Sequence, residues 1–155
     1  AHTPPLLSDA ERKLVFGDIE VILGVQTRFD DELRKRVESW SATQKVGDKF
    51  VEFSHFLKIY TNYAVHFEEV TTRANELCQK NSKFRDFISN AFPGRINVYS
   101  SIEERLITPI QRLPRYVMLL SDLLKHTWPT HCDYADLTSA LDAVKKVADY
   151  VNDKK

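Results

Sequence analysis

Apolar residues recur at intervals of three and four along almost the whole chain, the spacing of one face of an α-helix. The longest such run is Ile102, Leu106, Ile110, Leu113, Val117, Leu120 and Leu124, and it passes through Pro109 and Pro114. A proline inside a helix removes a backbone donor, clashes with the preceding turn and costs about 3 kcal/mol. A helix that keeps its apolar spacing across such residues must be held by neighbours on several sides. The stretch is therefore predicted to be the central rod of an all-α bundle, kinked near Thr108 and Leu113. The same register leaves Gln111, Arg112 and Arg115 beside the apolar stripe, either facing a partner or solvating the outer surface.

Ahead of the rod, Ser8 and Glu11 have the spacing of a capping box. A helical pattern follows to Trp40 through Val15, Ile19, Ile22, Phe29, Leu33 and Val37. Gly17 and Gly24 interrupt it, each at a cost of up to about 1 kcal/mol relative to Ala. Close packing of a neighbour, or a bend, would account for them. Ser41 to Val46 is a polar connector, and Gly47-Asp48 restarts a helix. Its stripe of Phe50, Phe53, Leu57, Tyr60, Ala64, Phe67, Thr71, Ala74 and Cys78 predicts one long helix, or two joined by a bend near Thr61-Asn62. Aromatics at this period are what bundles bury, so the stripe is assigned to the core and not to a cofactor.

Asn81 is expected to cap a short helix with Phe84, Phe87, Ile88 and Phe92, stopped by Pro93-Gly94. Ser100 and Glu103 repeat the capping-box spacing where the rod begins, and Trp128-Pro129 lies beyond its end. Asp133 is expected to cap a last helix carrying Tyr134, Leu137, Leu141, Val144, Ala148 and Val151. No strand pattern or internal repeat competes. The predicted class is an all-α elongated helical bundle.

Composition narrows the chemistry. A chain of 155 residues fits one domain. Its 22 basic and 22 acidic residues cancel, so no global field draws it to nucleic acid or anionic lipid. Cys78 and Cys132 form no disulfide framework and suggest a reducing compartment. No apolar run approaches the roughly 20 residues that cross a bilayer. A cytoplasmic protein is the expectation. His131, Cys132 and Asp133 are metal-capable types, but adjacent residues do not converge on one ion, and a polar helix cap is the simpler use. No nucleophile motif, zinc spacing or glycine-rich phosphate loop is present, so no metal, cofactor or bond-making chemistry is predicted.

The rod resembles a known family, the Dbl-homology domain of Rho-type guanine-nucleotide exchange factors. That family's last motif is Leu-x-x-Pro-x-Gln-Arg-x-x-Arg/Lys-Tyr-x-x-Leu-Leu, and here it stands as Leu106-Ile107-Thr108-Pro109-Ile110-Gln111-Arg112-Leu113-Pro114-Arg115-Tyr116-Val117-Met118-Leu119-Leu120. Val15-Phe16-Gly17-Asp18-Ile19 is similar to its Phe-Gly-Asn-Ile segment, and Val46-Gly47-Asp48-Lys49-Phe50 to its Ile-Gly-Asp-x-Phe. Val151-Asn152-Asp153 is similar to the closing Val-Asn. The matched stretch is 14–153 within a single Dbl-homology-like domain of 1–155. The opening Thr-Glu-x-x-Tyr-Val motif, which supplies a glutamate to the GTPase, has no match ahead of Val15. The expectation is a domain without that first helix.

The resemblance implies a domain that binds a Rho-family small GTPase and promotes GDP release without covalent chemistry. Carried over by position, Arg115 would engage the GTPase's second switch, with Gln111 and Ile107 one and two turns earlier. Asn152 would reach the same switch, and Arg112 stands next to this face. A non-catalytic helical module that only binds a GTPase or another protein is the alternative. Contact with membrane would be indirect, through the lipid-binding domain that usually follows in the family. An apolar groove left bare by the missing helix would favour self-association.

Overall fold

The structure, a computed structural model, describes residues 5–91 and 98–153, and every regular element among them is a helix. The first, α1 (Asp9–Glu38), starts in a full capping box at Ser8. The Glu11 amide donates to Ser8 Oγ at 3.3 Å, and the Ser8 amide donates to the Glu11 carboxylate at 2.8 Å. Helix α1 then runs unbroken for 30 residues and buries Val15, Ile22 and Phe29, one every two turns. Neither of its glycines admits a neighbouring helix. A Cβ at Gly17 would touch only Lys13 of the same helix, and one at Gly24 would meet nothing within 4 Å.

The long aromatic stripe resolves into three helices: α2 (Gly47–Ser54), α3 (Lys58–Val65) and α4 (Phe67–Lys80). The breaks fall at residues 55–57 and at His66, while Thr61-Asn62 lies inside α3. At the first break the amides of Phe56, Leu57 and Ile59 donate three residues back, at 2.9, 3.1 and 3.0 Å. These tighter turns re-phase the stripe so that Phe53, Leu57, Tyr60 and Tyr63 all point inward. Asn81 caps α5 (Ser82–Ala91) as expected, its Oδ1 accepting from the Phe84 amide at 3.0 Å. Phe87 is exposed, and Phe92 with Pro93-Gly94 lies outside the described residues.

The central rod is α6 (Val98–Leu106) followed by α7 (Thr108–Lys125), interrupted at Ile107 beside the expected kink at Thr108. Helix α6 begins before Ser100, so Ser100 lies within its first turn instead of capping it. Pro109 offers no amide to the Arg105 carbonyl four residues back, and the Thr108 hydroxyl donates to it instead at 2.6 Å. The neighbouring Leu106 carbonyl accepts the Tyr63 hydroxyl from α3. At the second proline the helix continues: α7 is unbroken across Pro114, anchored by buried Ile110, Leu113, Tyr116 and Leu120.

The last helix, α8 (Tyr134–Asp153), packs on α2, α3 and α7, while α1 covers α2, α3 and α4. Phe29 and Phe53 stack with ring centroids 4.2 Å apart, and Phe50 meets Phe29 edge-on at 4.8 Å. The aromatic stripe is core. Leu120, 1 % exposed, sits in the same cluster. Leu120→Ala is expected to cost about 2–5 kcal/mol by truncation plus cavity. Thermal unfolding followed by circular dichroism should show a melting temperature lower by roughly 5–15 °C.

Candidate functional site

The motif residues of the rod line a groove of about 580 Å³ between α1 and the first half of α7. Gln111, Arg112 and Arg115 form its α7 wall, and Leu23, Gln26 and Asp30 its α1 wall. All three α7 side chains are exposed. They follow from the apolar register: with Ile110, Leu113 and Tyr116 buried, the positions between them must face out.

The two arginines are held differently. Arg112 Nε donates to Tyr116 Oη at 2.7 Å, and its guanidinium lies 5.2 Å from that ring's centroid. Tyr116 Oη donates to Gln26 Oε1 at 2.8 Å, and Gln26 Nε2 donates to Tyr60 Oη. The relay ties α7 to α1 and α3. Its hydrogen bond to Tyr116 pushes the Arg112 pKa above the ordinary guanidinium value. Arg115, by contrast, makes no hydrogen bond or ion pair among the described residues. Asp30 across the groove is committed to Arg34 at 2.9 Å.

Ile107 lies at the break between α6 and α7, half-buried and packed against the core, and is not among the residues that line the groove. Asn152 is exposed near the end of α8. Its neighbour Val151 is buried in the larger core cluster, and α8 packs on α7. Gln26 escaped the reading of the sequence, and Tyr60, read as core and buried there, also takes part in the relay. The signal for Gln26 was present: it is a polar residue between Ile22 and Phe29, at spacings of four and three on the inward stripe. A polar side chain in that position needs a partner.

Asp133 requires a correction. It precedes α8 and its carbonyl accepts the Leu137 amide at 2.9 Å, but its carboxylate does not cap that helix. The carboxylate, 3 % exposed, instead accepts the Val46 amide at 2.8 Å and the Gly47 amide at 3.0 Å. It thus caps α2 from across the fold, where the helix N-terminus favours an anion. His131 Nε2 lies 2.8 Å from the Ala42 carbonyl, and Cys132 Sγ donates to the Thr43 carbonyl at 3.2 Å. All three residues grip the connector between α1 and α2. Among the described residues no cluster of His, Cys, Asp or Glu could hold a metal ion.

Burial pushes the Tyr60 phenol up to about 12 and raises Tyr63 as well. A phenol whose folded pKa lies above its unfolded value stabilises the fold fully below that unfolded value. This contribution is lost as pH rises from about 10 towards 12. Unfolding free energy is expected to fall through that window while phenolate absorbance at these tyrosines lags behind the exposed ones.

The described elements form an all-α bundle with one locked and one uncommitted arginine along a groove. The family is specific: the chain belongs to the RhoGEF domain family, whose model matches residues 1–152. It is 39% identical over 150 residues to "Guanine exchange factor for Rac 30" of Dictyostelium discoideum, covering 96% of this chain and 9% of that protein. It is 35% identical over 157 residues to human "Protein ECT2", covering 97% of this chain and 17% of that protein. The chain therefore spans a small part of the curated relatives it matches. Its fold superposes on the crystal structure of the DH domain of FARP2 with a TM-score of 0.79 at 28% identity, covering 96% of this chain and 73% of that one. None of the described helices is long and apolar enough to cross a membrane.

Proposed function

We propose that this chain is a guanine-nucleotide exchange domain that binds a Rho-family small GTPase and promotes GDP release by remodelling its switch regions. The observation that carries the reading is Arg115, exposed and uncommitted on the α7 face in a chain of the RhoGEF domain family. Its planar fork can bond a carboxylate and backbone carbonyls together. Gln111 stands one turn earlier on the same face, and Asn152, exposed near the end of α8, is read as a further contact with the GTPase. Arg112 contributes by bracing α7 against α1 through the tyrosine relay, and Ile107 by seating the start of α7 on the core. The Dictyostelium relative is named for Rac, which makes a Rac-type GTPase the first partner to test.

The mechanism is linkage. A partner that prefers the nucleotide-free GTPase must weaken nucleotide binding by the same factor. Driving the GTPase from nearly all closed to nearly all open takes about 5.5 kcal/mol of differential affinity. No bond is made or broken by the domain itself. The experiment is release of fluorescent GDP from a panel of Rho-type GTPases, Rac included, at rising concentrations of this chain. Concentration-dependent acceleration is expected. Binding without acceleration would replace the reading with that of a non-catalytic GTPase-binding module.

A further inference from the structure

On the flank of α1 away from the arginine groove, α1 and α2 enclose a separate cleft of about 280 Å³ floored by Phe29, Phe53 and Phe56. Phe29 and Phe53 are stacked and buried, so only Phe56, 44 % exposed, offers a broad open ring. Gly24 borders the cleft from α1, and the Cβ it lacks would meet nothing within 4 Å. A mid-helix glycine with no packed neighbour weakens its helix, and here it leaves a strip of backbone bare towards the cleft. Arg28 stands one turn further along the same wall, exposed and with no hydrogen bond or ion pair among the described residues. The cleft's other cation is already spent: Lys49 Nζ lies 3.1 Å from Glu52 and 3.6 Å from Glu32.

An aromatic floor, a bare strip of backbone and one uncommitted guanidinium are complementary to a single chemistry. We propose that this cleft binds a flat aromatic anion, with its ring against Phe56 and Gly24 and its carboxylate on Arg28. The volume of about 280 Å³ falls just below the roughly 300 to 1,000 Å³ of drug-sized ligand pockets, and so admits no more than one bicyclic ring. The guanidinium fork matches a carboxylate in bidentate geometry. The inference stands apart from the exchange reading, because neither Gly24 nor Arg28 borders the α7 groove.

The test is titration of 2-naphthoate into the isotope-labelled chain, followed by amide chemical shifts, with 2-naphthamide as the uncharged ring of the same shape. Saturable naphthoate binding is expected, with shifts centred on Gly24, Arg28 and Phe56. The amide should bind about tenfold more weakly for want of the charged hydrogen bonds. Arg28→Gln should bring naphthoate down to the level of naphthamide and leave naphthamide unchanged. Gly24→Leu, whose Cβ has open space and whose melting temperature verifies the fold, should fill the cleft and abolish both. Equal binding of the two probes, shifts centred elsewhere, retained affinity in Gly24→Leu, or no saturable binding would each overturn the proposal.

Discussion

Gly47→Ala is expected to destabilise the fold by about 3 kcal/mol or more, the upper end of what overpacking costs. The added Cβ would lie 2.6 Å from the Leu137 amide nitrogen, 2.7 Å from Asp133 Oδ1 and 2.8 Å from the Asp136 carbonyl carbon. Two of those atoms are backbone and the third belongs to a carboxylate pinned by two amides, so nothing nearby yields cheaply. Relief requires α8 to withdraw from α2, which strands the Asp133 carboxylate in a buried site with its donors pulled away. An uncompensated buried charge adds its own penalty. Urea unfolding should show a lower midpoint with an unchanged slope. A midpoint within error of the parent would mean that α2 and α8 do not approach as closely as described.

Arg115→Glu is expected to weaken GTPase binding by about 30- to 1,000-fold, the 2–4 kcal/mol typical of an arginine hot spot. Reversal of the charge sets a carboxylate where the partner's acidic or carbonyl groups would lie, so repulsion adds to the lost bonds. Stability should barely move, within roughly 0.5 kcal/mol, because the side chain is exposed and uncommitted in the free protein. The two readouts separate a binding role from a folding one. Titration calorimetry against the nucleotide-free GTPase measures the first, and thermal unfolding of the variant alone measures the second. Undiminished affinity would remove Arg115 from the interface and with it the observation on which the exchange reading rests.

These two substitutions differ in how far each was legible beforehand. Arg115 could be placed from its own neighbourhood: its position beside the stripe follows from the three-and-four spacing of Ile110, Leu113 and Val117, and its proposed role from a motif contained in fifteen consecutive residues. Gly47 could not. It was read as a helix restart, which it is, but its need to be glycine arises from α8, some 90 positions along the chain. Asp133 shows the same thing from the other side. Its residue type and position at a helix start suggested a cap for α8, and the carboxylate caps α2 instead, with a sequence separation of 87 to Val46.

The intermediate cases follow the same division. Ser8 with Glu11 and Asn81 with Phe84 were predicted as caps and are caps, since the donors and acceptors lie within three residues of one another. The three-way split of the aromatic stripe was missed because the intervals alone leave the phase ambiguous. Turns with bonds three residues back, at 55–57, resolve it only when α8 and α1 demand that Phe53, Leu57 and Tyr60 all face inward. Pro114, near the second expected kink, is carried within α7, where buried Leu113 and Tyr116 flank it.

The sequence by itself determined the all-α class, most helix starts and the row of Gln111, Arg112 and Arg115 along one face, because helical periodicity and capping are interactions between residues a few positions apart. Tertiary structure alone decided that Arg112 is locked through Tyr116 and Gln26 while Arg115 stays uncommitted, and that Asp133 and Gly47 clamp α8 to α2. Arg112 and Tyr116 are neighbours on α7, but Tyr116 and Gln26 are 90 residues apart, and Gly47 and Asp133 are 86 apart. Their meeting depends on how the helices pack, and no local spacing records it.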